Sequence, residues 1–105
     1  MTASTAKFEA EIATVIRRTL TETKYRPTYF MQMVTDQGAY NASLQLIRSK
    51  STSAGFTSLW ELQRLDLTVE AVVLRPEFAG LFTADDLAAA KKRLKEYNYT
   101  IEGTA

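Results

Sequence analysis

The side chains with most chemistry to offer lie between residues 39 and 49. Asn41, Ser43, Gln45 and Arg48 alternate there with the apolar Tyr40, Leu44 and Ile47. If Ala39–Ser49 is a helix with those three inward, the four polar side chains fall on its exposed side. Asparagine, glutamine and arginine are the types that form bidentate contacts with base edges. The segment Thr28–Gln37, with Phe30, Met33 and Val34 inward, reads as a helix before it, and Gly38 suits a left-handed stop between the two. Helix, tight turn, helix is the order of a helix-turn-helix unit. Val34, where a small residue usually lets the helices cross closely, argues against that reading, and so does a formal net charge of +1.

Three lysines form the second candidate. Lys91, Lys92 and Lys95 occupy about a third of a helical wheel, a stripe that could face phosphates. Cations in a last turn also complement the helix dipole and keep a protein in solution, which is the plainer account. Among the carboxylates, Asp85 and Asp86 point about 100° apart, a poor geometry for sharing a proton or a metal. Glu70 is different, because it stands within Leu67-Thr-Val-Glu-Ala-Val-Val-Leu74, the densest apolar run in the chain. A carboxylate buried there needs a partner or a proton. Arg64 and Arg75 flank the run, and a structural ion pair with one of them is the expectation. Finally, two methionines beside Tyr25, Tyr29 and Phe30 suggest an adaptable groove, although core packing accounts for them equally.

The missing residue types restrict the chemistry further. The chain has no cysteine and no histidine. Disulfides, thiolate metal sites, serine–histidine and cysteine–histidine nucleophiles and ordinary zinc sites are therefore impossible within it. No run approaches the roughly 20 apolar residues that span a bilayer, and the first residues lack the apolar core of a secretory signal. The expectation is a soluble, cytoplasmic protein with no cofactor and no metal.

These candidates have to be positioned by a single domain of 105 residues, 46% hydrophobic and 24% charged. Phe8, Ile12, Val15, Ile16 and Leu20 make one face of a first helix, about Ala6–Lys24. Tyr25-Arg26-Pro27 breaks it, and Pro27 fits the first position of the next helix. After the linker-like Lys50–Gly55, Ser58-Leu-Trp-Glu61 matches a capping box for a short helix Leu59–Leu65. Asp66 is then the N-cap of a central helix Leu67–Leu74, against which the only tryptophan, Trp60, is expected to be buried. Pro76 starts a short turn. Thr83-Ala-Asp-Asp86 caps a last helix, Ala84–Tyr97, with Phe82 and Leu87 spaced as a hydrophobic staple. The fold expected is all-α, one compact bundle of five longer helices and a short turn, with loose tails at 1–5 and 100–105.

The order GF-x-x-LWE, RLDLTVEA-x-VL-x-PEF-x-x-LF and KRLKEYNY over Gly55–Tyr99, preceded by YRPTYFMQMVTDQG, resembles a small uncharacterised bacterial helical module. The resemblance spans about Phe8–Tyr99. It implies a module found alone or attached to larger bacterial proteins, some in restriction or phage-defence settings, and it brings no catalytic residue. The functional expectation is a non-enzymatic module that binds a protein partner or itself. The alternative is a small DNA-binding regulator using residues 30–49.

Overall fold

The computed structural model describes residues 5–99, whose regular secondary structure is all helical, with no strand among them. The tails expected at 1–4 and 100–105 lie outside the described residues; Thr5 already belongs to the first helix. Helix α1 (Thr5–Glu22) turns Phe8, Ile12, Val15 and Thr19 inward, at steps of four, three and four. Thr19 is tolerated on that face because its hydroxyl donates to the Val15 carbonyl at 2.8 Å. Helix α2 (Thr28–Gln37) follows a proline break, with Pro27 at the N-cap rather than the first helical position. Helix α3 (Ala39–Arg48) follows after one residue. That residue, Gly38, has φ +87° and ψ 158°, outside the left-handed helical well expected for it but still a conformation that glycine alone adopts without strain.

The middle of the chain departs from expectation. Helix α4 runs Ala54–Glu61, capped by Ser53, whose hydroxyl accepts the Phe56 amide at 3.1 Å. Ser58 and Glu61 are thus inside the helix and form no capping box. With the start moved five residues back, Phe56 and Leu59 become its inward pair. Trp60, about 100° further round, is turned to the rim. It is 45% exposed and packs edge-to-face on Tyr97, with ring centroids 5.2 Å apart, instead of lying buried against the central run. The central run divides in two. Leu65–Leu67 makes a tight 3-10 turn, and helix α5 is Val69–Val73, capped by Thr68 through the Ala71 amide. Asp66 is not a cap; its carboxylate takes two hydrogen bonds from Arg64.

All five residues of α5 are buried, which places this short helix at the centre. It packs on α6 (Ala84–Glu96), α3 and α1, with the 3-10 turn Pro76–Leu81 beside it. The Thr83–Asp86 capping box of α6 forms in both directions, each bond at 3.1 Å. An aromatic cluster of Phe8, Tyr40, Phe78 and Phe82 closes one end of the core. Among the described residues no helix is long and apolar enough to cross a membrane, and no group of acidic side chains is arranged to hold a metal ion.

Candidate functional site

The α2–α3 pair exists, but it spends its polar groups within the molecule. The Asn41 amide donates to the Gln37 carbonyl at 3.1 Å, and the Gln37 side chain donates to Gln45 Oε1 at 2.9 Å. The Arg48 guanidinium grips both oxygens of Asp86, at 2.9 and 3.0 Å. These hydrogen bonds, more than any other effect, hold the Asp86 carboxyl at about 2 against the opposing cost of its burial. Asp86 therefore both caps α6 and ties it to the end of α3.

Ser43 does not join the exposed face. Two residues on from Asn41 it lies about 200° round the helix, and it is wholly buried, with no hydrogen-bond partner for Oγ among the described residues. An unsatisfied buried hydroxyl carries a desolvation cost of about 1–3 kcal/mol. Ser43→Ala removes it and raises helix propensity, so the variant is expected to be stabilised by about 1 kcal/mol in urea denaturation. A loss of stability of that size would mean that the hydroxyl is satisfied.

Glu70 is 3% exposed, and its partner is neither Arg64 nor Arg75. Arg64 pairs with Asp66 and Glu22, and Arg75 pairs with Glu11. Glu70 Oε2 instead takes Arg93 Nη1 at 2.7 Å, across the α5–α6 contact. Arg93 sits beside Ala90 and Leu94 on the buried face of α6, unlike its neighbours in the basic run. Its remaining donors reach the Leu46 carbonyl at 3.1 Å and the Ser49 carbonyl at 2.8 Å, where α3 ends. One guanidinium thus joins α5, α6 and the α3 terminus. Burial pushes the Glu70 carboxyl up from its ordinary range, and the Arg93 hydrogen bond pulls it back down. Lys91, Lys92 and Lys95 are all exposed on the other side of α6.

The surface carries a cleft of about 570 Å³ with mainly apolar walls. One wall is Tyr25, Tyr29, Phe30 and Met33, from the α1–α2 turn and α2; the other is the 49–56 segment with Phe56 and Leu59 of α4. Val15, Ile16, Thr19 and Leu67–Glu70 also line it. Tyr29 stands at the rim with 74% of its surface exposed. A Cβ at Gly55 would lie 3.0 Å from the Tyr25 hydroxyl, so a larger residue there would need that side chain to give by a few tenths of an ångström. The Met and aromatic cluster at 25–33 was the sequence signal for this site. What periodicity missed was the opposite wall, because it depends on α4 starting at Ala54. No protein-family model, curated protein or solved structure matches this chain.

Proposed function

We propose that this chain is a non-enzymatic helical interaction module, and that the apolar cleft between α2 and α4 receives an apolar segment of a protein partner. The observation that carries the reading is the cleft itself, rimmed by the exposed Tyr29. Apolar surface kept open beside a ring of polar loop residues is the anatomy of an interface core with its rim. The resemblance to a bacterial module suggests an accessory role in a defence or restriction system. The DNA-reading alternative has less support. Of its four readers, Ser43 is buried, Arg48 is held by Asp86, and Asn41 and Gln45 already have hydrogen bonds within the α2–α3 pair.

Affinity capture from native lysate, with and without nuclease, tests the reading. A protein retained through nuclease treatment is expected, and Tyr29→Ala should weaken its retention at least tenfold with little change in melting temperature, as for an aromatic anchor. Capture that disappears with nuclease, or that Tyr29→Ala leaves unchanged, would remove the cleft from the function.

A further inference from the structure

Among the described residues the exposed large apolar side chains are Tyr29, Trp60 and Leu62. Tyr29 belongs to the cleft. The other two stand at the end of α4, the helix whose inner face forms the second cleft wall, and Glu61 lies exposed between them. Leu62 shows 42% of its surface there. The backbone of this end is closed by two hydrogen bonds. The Gln63 amide donates to the Trp60 carbonyl at 3.0 Å and the Arg64 amide to the Leu59 carbonyl at 2.8 Å, with Gln63 in the left-handed conformation at φ 59°. A projecting segment already held in one shape loses little freedom when it is bound. The molecule thus carries an apolar cleft and, on the same helix, a fixed apolar projection that its own core leaves uncovered.

Charge matches the two. Arg26 lies between Tyr25 and Pro27 on one cleft wall, and Lys50 between Ser49 and Ser51 on the other. Both are exposed, and neither pairs with an acid among the described residues. The charged residues that line the cleft itself are already balanced, Arg48 by Asp86 and Glu70 by Arg93. The uncompensated charge at the mouth is therefore positive, although the whole chain carries only +1. On the projection the order reverses. Glu61 has no cation partner among the described residues, and Arg64 beyond it is taken by Asp66 and Glu22. A separate partner would have to bring apolar side chains around a single carboxylate, and this chain displays that combination itself. From this match we infer that the segment received by the cleft is Trp60–Leu62 of a second copy of this chain, with the Glu61 carboxylate meeting Arg26 and Lys50 at the mouth. Because α4 carries both features, two copies can exchange them about a two-fold axis. The inference rests on the cleft being the docking site proposed above.

Analytical ultracentrifugation of the full chain, taken up to ~1 mM, tests this, with a monomer–dimer equilibrium as the expected result. Glu61→Arg, and separately Arg26→Glu/Lys50→Glu, should each weaken the dimer about tenfold, since like charges then face each other. Combining all three substitutions restores opposite charges and should return most of the affinity. These positions are exposed, so the swap reads the contact and not the fold. A triple variant as weak as its parents, or a dimer that neither charge change weakens, overturns the placement. Complementation gives an independent readout. Trp60→Ser/Leu62→Ser lacks the projection and Tyr29→Ala has an impaired cleft, so each alone should stay monomeric while their mixture associates through one intact contact. A mixture that stays monomeric while wild type dimerises means that like surfaces meet, and the exchange is overturned. A wild-type chain monomeric at ~1 mM whose capture from lysate still depends on Tyr29 leaves the docking site standing and overturns the second copy as its occupant. Loss of both removes the docking site too.

Discussion

Replacing Arg93 by methionine should cost about 3–5 kcal/mol, a large share of the roughly 5–15 kcal/mol that holds a domain of this kind together. The loss has two sources. Glu70, 3% exposed, is left without its counter-charge, and the Leu46 and Ser49 carbonyls lose the donor that closes the end of α3. The variant should also acquire a pH dependence with a definite sign. Burial already raises the folded-state pKa of Glu70 above the ordinary carboxylate range, and loss of Arg93 raises it further. A raised folded pKa means that the favourable, protonated form is fully present below the unfolded value and is lost as pH rises through the folded one. Relative to wild type, Arg93→Met should therefore fare better near pH 5 than near pH 8 in urea denaturation. The double variant Glu70→Leu/Arg93→Met should recover much of the loss, since a buried pair can often be exchanged for apolar residues. A single variant that loses less than about 1 kcal/mol at either pH would show that Glu70 reaches solvent.

That ion pair also marks where the sequence stops being informative. Burial of Glu70 follows from its neighbours alone, because every position around it in Leu67–Leu74 except Thr68 is apolar. The partner does not follow. Chain proximity favours Arg64 and Arg75, but a side chain on a short central helix meets whatever packs across from it, and that is α6. A clue was present in α6 itself. Arg93 lies three residues after Ala90 and one before Leu94, at the edge of the apolar seam, whereas Lys91, Lys92 and Lys95 lie away from it.

The helices were legible where caps and periodicity agree. The bounds of α2 and the Thr83–Asp86 box of α6 are written in local residue types, and tertiary packing does not override them. Between residues 53 and 69 the expected caps Ser58 and Asp66 give way to Ser53 for α4 and Thr68 for α5. The helix takes Ser53, because starting at Ala54 lets Phe56 and Leu59 both face inward, which a start at Leu59 cannot do. The 3-10 turn at Leu65–Leu67 then buries both leucines before α5 begins. Trp60 was misplaced by the same error, since its direction depends on the phase of α4. So was half the cleft, whose second wall exists only with the longer α4. Only the Tyr25–Met33 side of the candidate site could be read directly from residue types.

Phe8→Ala should be as damaging as the loss of Arg93, and for a purely apolar reason. Phe8 is fully buried, and its ring meets Tyr40, Phe78 and Phe82 edge-on, with centroids 6.3, 5.3 and 5.4 Å away. These partners come from α3, from the Pro76–Leu81 turn and from the residue just before the α6 cap, so one side chain fastens three segments to α1. Truncation to alanine costs about 3–5 kcal/mol through lost transfer energy and the cavity left behind. At about 4–8 °C per kcal/mol for a domain of this length, the melting temperature should fall by more than about 12 °C. Phe8→Leu keeps most of the volume and should lose only part of this, separating packing from the aromatic edge contacts, each worth about 0.5–1.5 kcal/mol. Tyr40 provides an internal reporter, because its hydroxyl donates to the Leu81 carbonyl at 2.6 Å across the same cluster. In Phe8→Ala that tie should loosen, and the near-ultraviolet circular dichroism of the aromatic cluster should weaken before the helical signal does. A melting temperature within about 3 °C of wild type would mean that the first turns of α1 are not docked on the core, and that the three segments hold together without it.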